Sequence, residues 1–100
     1  MEGVLSINLI AAGPGVRNGR PYILGTSVTV ADVVIAHVYH RLDADGIAAW
    51  YGLTLAQTHA ALAWYYVHQA ETDELVHQLI RKADLLSAER PGNERSLLPR

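Results

Sequence analysis

The stretch "IAAWYGLTLAQTHAAL", residues 47–62, limits what this chain can fold into more than any other. An apolar segment stops at Gly52, the residue type best suited to the left-handed position that closes a helix. Thr54 and Gln57 then stand at the spacing of a full capping box, in which each side chain satisfies a backbone N–H near the other residue. An Ala/Leu-rich segment follows. Helix, tight turn and second helix is the form this spacing dictates. The second helix of such a unit often enters the DNA major groove, so the stretch either reads DNA or only packs.

The neighbouring segments extend the pattern. Asp43 suits the N-cap of a helix over 44–51, and the helix that starts after Thr54 runs to about Gln69. Upstream, Thr29 with Asp32 resembles a capping box with Asp in place of Glu. Val30, Val34, Val38 and Leu42 follow at i+4 steps with Ala31 and Ile35 beside them, which predicts a helix over 30–42. Downstream, Thr72 or Asp73 suits a cap, and Glu71, Asp73 and Glu74 suit the positive end of a helix dipole. Leu75, Val76, Leu79, Ile80, Ala83 and Leu86 then share one face, as in a helix that buries a stripe. No proline or glycine separates this last helix from the one before it, so the two are either continuous or broken. At the N-terminus "VLSINLI" (4–10) reads as a strand, 11–21 as a loop, and "YILGTSVTV" as a second extended segment bent or bulged at Gly25. Asn18-Gly19 suits a turn with positive φ. The two segments predict a β ribbon within 4–30, which is marginal alone and must lie on the helices or on another subunit.

The fold expected is therefore mainly α: a helix-turn-helix bundle with a short N-terminal two-stranded β element and a C-terminal helix. One domain spans 1–87, and 88–100, with turn formers and mixed charge, reads as a flexible tail. The length of 100 residues fits one core, and a 50% hydrophobic content is not that of a disordered chain. No cysteine is present, which removes disulfides and thiol chemistry. No apolar run is long enough for a membrane span, and the N-terminus lacks the basic flank of a signal peptide. A cytoplasmic protein without a membrane partner is expected. The formal charge of −2 gives no general attraction to nucleic acid.

For DNA contact the candidate residues are Thr54, Gln57 and His59 at the start of the second helix, with Arg17, Arg20 and Arg41. Gln57 has the groups to pair with adenine, and Thr54 those to hold a phosphate or meet a thymine methyl. Against this, no Lys or Arg lies between Arg41 and Arg81, and Gln57 is already needed for its cap. The "VRNGR" arginines suit a minor groove, a clasp on a partner's carboxylates, or simple solvation and internal pairing. Five histidines are explained as surface or core-edge residues, since His37 and His40 have no acid at ligand spacing. No metal, no cofactor and no enzyme motif is expected. "AWYYV" (63–67) differs: successive helix positions turn by about 100°, so Trp64, Tyr65, Tyr66 and Val67 point almost all the way round. Either one tyrosine lies exposed with its hydroxyl in water, or a second chain covers part of the helix. A homodimer contact through Trp64, Tyr65 and Tyr66, and a partner contact through Leu75, Leu79 and Leu86, are the expectations.

Two motifs carry a resemblance. Gly19, Pro21, Ile23, Gly25 and Thr26 match a Gly-x-Pro-x-Ile-x-Gly-Thr segment, and Ala60, Ala61, Leu62, Ala63 and Trp64 match an Ala-Ala-Leu-Ala-Tyr segment closing a helix-turn-helix. In this order, over about residues 7–75, they resemble the bacterial domain-of-unknown-function family 433. The resemblance implies a homeodomain-like helical domain, dimeric, acting as a VapB-like antitoxin partner of a PIN-type nuclease toxin. The chain departs from the family pattern at Ser27, where an arginine is usual, and at Thr58, where Val or Ile is usual. The first removes a cation, and the second is expected to loosen the packing between helices.

DNA binding by this protein alone should be weak and shallow in its salt dependence, since each neutralised phosphate adds only about −0.9 to the slope. Fluorescence anisotropy with duplex DNA across a salt series measures it. Tight binding that falls steeply with salt would show that the three arginines act together on the backbone.

Overall fold

Thr54 and Gly52 set the geometry at the centre of the chain. In the computed structural model, which describes residues 2–88, Gly52 adopts φ 70°, ψ 38°, and its N–H bonds the Ala48 carbonyl. A β-carbon there would meet no atom within 4 Å, so only the left-handed backbone demands glycine. Two residues on, the Thr54 N–H donates to Gln57 Oε1 at 2.8 Å, and the Gln57 N–H donates to Thr54 Oγ1 at 3.1 Å. These caps join α2 (Ala44–Tyr51) to α3 (Leu55–Val67). The Asp43 carboxylate, accepting from the Gly46 N–H at 2.8 Å, starts α2 as expected.

The preceding helix, α1, spans Val30–Val38 and opens with the expected Thr29–Asp32 box, both bonds being present. It is four residues shorter than the hydrophobic spacing predicts. Arg41 takes φ 61°, a left-handed conformation no helix accommodates, and the Leu42 N–H returns to the Ala36 carbonyl at 3.1 Å. The His37 ring steadies the turn with Nδ1 3.0 Å from the Leu42 carbonyl. Val38 is accordingly exposed and Leu42 half-buried rather than core.

The β element is also smaller than expected. β1 is Ile10–Ala11 and β2 is Tyr22–Ile23, antiparallel, with Ile10 opposite Ile23 and Ala11 opposite Tyr22. Residues 4–9 do not continue the ladder, because the strand that would face them turns away. The Leu24 N–H still reaches the Leu9 carbonyl at 2.9 Å, but Gly25 then takes φ 80° and the Thr26 N–H closes on the Ile23 carbonyl at 3.1 Å. Gly25 is thus a turn residue. Between the strands a single 3-10 turn, Arg17–Gly19, carries positive φ at Arg17 and Asn18, in keeping with the turn expected at Asn18-Gly19.

The last helix, α4, spans Gln69–Ala88. It is separate from α3, and the break is one residue: His68 at φ −119°, ψ 43°. The expected start at Thr72 or Asp73 is therefore corrected to Gln69. With no proline or glycine between Val67 and Thr72, the backbone returns to helix as soon as His68 is passed. The chain divides into two compact units, residues 1–69 and 70–100. The expected tail, beyond Ala88, lies outside the described residues.

Within the first unit α3 packs on α1, α2 and both strands. Its core is Ile23, Val28, Val30, Ala31, Val33, Val34, Ala36, Ile47, Leu53, Ala61 and Tyr65. Thr58 lies fully buried among them, with its hydroxyl donating to the Thr54 carbonyl at 3.0 Å. The hydroxyl is thereby satisfied inside its own helix, which is how a threonine is accommodated at this buried position. The architecture is mainly helical, with a two-stranded antiparallel sheet near the N-terminus and a C-terminal helix, as the sequence predicts.

Thr54→Ala removes the acceptor of one capping bond and should lower the unfolding free energy by about 1 kcal/mol, whereas Thr54→Ser should cost less than half of that. Urea denaturation followed by circular dichroism measures both. Equal stability of Thr54→Ala and the parent chain would show that α3 does not depend on this cap.

Candidate interaction surfaces

The start of α3 presents Thr54, Leu55, Ala56 and His59 to solvent. Gln57 is half-buried with its oxygen committed to the Thr54 N–H, which leaves its amide NH2 as the polar group of that side chain facing outward. The whole segment from Gly46 to Ala70 contains no Asp, Glu, Lys or Arg. The three candidate cations sit on connections instead. Arg17 Nη2 donates to the Thr26 carbonyl at 2.8 Å, and its guanidinium lies 5.3 Å from the centre of the Tyr22 ring. Arg17 thereby ties the 3-10 turn to β2 and to the turn that follows it. Arg20 is half-buried just before β2, and Arg41 is exposed at the left-handed turn between α1 and α2.

The second half of α3 divides its aromatic residues. Tyr65 is buried in the core, which removes it from the surface residues expected at an interface. Trp64 is half-buried and stacks on His68, with centroids 3.9 Å apart and planes at 19°. His68 Nδ1 lies 3.1 Å from the Trp64 carbonyl, so that nitrogen carries the proton it donates. Tyr66 is exposed and tilts against Tyr65 at 5.0 Å. Its hydroxyl lies 3.4 Å from His37 Nε2, the acceptor nitrogen of a ring whose Nδ1 donates to Leu42. Val67 is 77% exposed. Trp64 and Val67, with Ala60, Ala63, His68 and the chain at Ile7 and Ile10, line an open groove of about 370 Å³.

A second, smaller cleft of about 170 Å³ lies between the end of α1 and α2, lined by Ile35, Ala36, His40, Leu42, Trp50 and Tyr51. Trp50 is strongly exposed at its rim, a surface feature that sequence reasoning did not single out. The Tyr51 hydroxyl reaches the Asp32 carbonyl at 3.4 Å. Burial, and secondarily the Asp32 charge, push its ionisation above the ordinary tyrosine range. The cleft is below the volume range of roughly 300–1,000 Å³ typical of small-molecule sites. Among the described residues no three His, Asp or Glu side chains gather to hold a metal ion, and no helix is long and apolar enough to cross a membrane.

On α4 the apolar arc is unevenly covered. Val76 and Thr72 are buried, and Leu75, Leu79 and Ile80 are half-buried. Towards the C-terminal end Leu85 and Leu86 are 62% and 47% exposed, beside exposed Arg81 and Lys82. Leu85 falls outside the arc read from the sequence. Arg81 lies 4.0 Å from Glu74, an exposed pair of small energetic weight.

No curated protein and no solved structure matches this chain. A family model does, that of a protein of unknown function (DUF433), over residues 10–65. The match begins at β1 and ends in α3 at Tyr65, so residues 2–9 and α4 lie beyond it. This is narrower than the span of about 7–75 over which the motifs resemble that family. Since it takes in more than half of the 100 residues, the chain belongs to the family DUF433.

Proposed function

We propose that this protein is an antitoxin-like regulator that binds and neutralises a cognate PIN-type nuclease. In this reading it acts as a homodimer with a homeodomain-like helix-turn-helix that contacts operator DNA only as a secondary task. The observation that carries the reading is the end of α4. Leu85 and Leu86 present exposed apolar surface on one 20-residue helix, with Arg81 and Lys82 beside them. Adjacent exposed leucines favour burial against another protein, and an amphipathic helix laid in a groove is a common way to achieve it. Nucleases that use metal ions gather carboxylates around them, so an apolar helix end where Arg81 and Lys82 outnumber the exposed Asp84 complements the rim of such a site. Occupying that rim blocks the substrate without any chemistry by the regulator.

The uncharged α3 supports a second reading, a homodimeric interaction module without a DNA role. Phosphate neutralisation supplies most non-specific affinity for DNA, and this helix has no cation to contribute. The two readings part at the nuclease: only the first requires one.

The test is an RNA-cleavage assay of the cognate PIN-type nuclease with and without the purified protein. The parent chain should inhibit, and Leu85→Asp with Leu86→Asp should weaken inhibition by at least about tenfold, because a carboxylate forced into an apolar contact is costly. Circular dichroism should be unchanged, since both side chains are already exposed. Half-buried Leu79 is a poorer probe, because Leu79→Asp perturbs the protein's own packing as well. Failure of the parent chain to bind or inhibit the nuclease would overturn the antitoxin reading and leave the interaction module.

A further inference from the structure

The free edge of the small sheet identifies how two copies meet, and this rests on the dimeric reading above. β2 is engaged on both sides. The Leu24 N–H following it bonds the Leu9 carbonyl at 2.9 Å on one side. On the other, the Ile23 N–H bonds the Val28 carbonyl at 2.9 Å and Tyr22 bridges to Thr29. Among the described residues β1 has β2 as its one neighbour in the sheet. Backbone groups alternate in direction along an antiparallel strand, so with Leu9 turned to the β2 side, Asn8 and Ile10 turn theirs to the open edge. Immediately before this edge Val4, Leu5 and Ile7 are 95%, 94% and 79% exposed. Natural proteins guard open edges with lysine, proline or bulges, and residues 3–10 contain neither lysine nor proline.

We propose that Val4–Ile10 pairs antiparallel with the same segment of a second copy across a twofold axis, joining the two small sheets into one. Charge identifies the occupant. A twofold interface sets each surface against itself, so any charge near the axis meets its own kind. From Gly3 to Val16 there is no Asp, Glu, Lys or Arg, and the groove beside the segment, with Ile10, Ala63, Trp64 and Val67, is equally neutral. His68, stacked on Trp64, is the one ionisable residue lining the groove, so two copies meet here with no carboxylate, Lys or Arg set against its own kind, while a charged partner finds none to complement. Side chains on one face of the joined strands then lie over that groove, which covers the exposed part of α3 that its own protomer leaves open.

Sedimentation equilibrium of the full chain over the micromolar range, with amide hydrogen exchange of residues 4–10 in the same samples, tests this. The chain should dimerise, with those amides protected in proportion to the dimer. Asn8→Pro removes a donor aimed at the open edge and leaves the Leu9–Leu24 bond in place, and Ile7→Lys sets like charges together near the axis. Each should weaken the dimer by at least about tenfold with an unchanged helical signal. A dimer of undiminished strength in both variants, or one whose residues 4–10 exchange as a free peptide does, would overturn the strand pairing while keeping the dimer. A monomer throughout would overturn both.

Discussion

In the first unit α3 packs on α1, α2 and both strands, and α3 is held where it is by three consecutive residues. Gly52 turns the chain through a left-handed conformation, Leu53 buries its side chain, and Thr54 starts the next helix by exchanging bonds with Gln57. Because the angle between α2 and α3 is fixed by this short connection, the face of α3 that carries Thr58, Ala61 and Tyr65 is directed into the core. The rest of the unit is built against that face: α1 and the two strands all pack on α3. The cap commits the Gln57 oxygen that holds the turn and withdraws it from any other acceptor task.

Local chemistry was legible in the sequence wherever a bond closes within a few residues. The Thr29–Asp32 and Thr54–Gln57 boxes, the Asp43 cap and Gly52 all stand where their spacing predicts, because each depends on side chains and backbone only three or four positions apart. Lengths were not legible. The i+4 run of apolar residues carries α1 to Leu42 on paper, yet Arg41 adopts a left-handed turn at Leu42's own doorstep, which no hydrophobic pattern records. Likewise "VLSINLI" has strand composition throughout, but a strand needs a neighbour, and the neighbour's direction is set by Gly25. At the start of α4 the cap-forming Thr72 and Asp73 were overruled by a backbone that resumes helix directly after His68.

The surfaces were half legible for a related reason. Periodicity identifies a face but not what covers it. It singled out "AWYYV" as more apolar than one protomer can bury, and Val67 and Tyr66 do stand exposed. It could not separate Tyr65, which the core takes, from Tyr66, which it does not, since that depends on how α1 lies across α3. For Arg17 the sequence left open an external phosphate, a partner's carboxylate, or solvation and internal pairing; its bond to the Thr26 carbonyl and its place over the Tyr22 ring are the internal engagement, whose partners composition does not encode. Leu85 was missed because a single apolar face was drawn through α4, while the exposed end of the helix presents two adjacent leucines.

The distribution of charge connects these features. An isolated DNA reader concentrates cations on the helix that enters the groove, because counterion release is the main source of its affinity. Here α3 carries no Asp, Glu, Lys or Arg, and the cations of the chain lie before it, up to Arg41, or after it, from Arg81 onward. A neutral helix gains little from a polyanion but loses little by meeting its own copy, where charges would repel. The residue types along Gly46–Ala70 therefore offer a polyanion little attraction and a like surface no charge to repel. If operator contact occurs at all, its electrostatics must come from cations brought together by assembly: those of two protomers, such as Arg20 and Arg41, or those of a bound partner. In the antitoxin reading proposed above, a requirement of that kind would make DNA affinity depend on the state of assembly, and so on whether the partner is present.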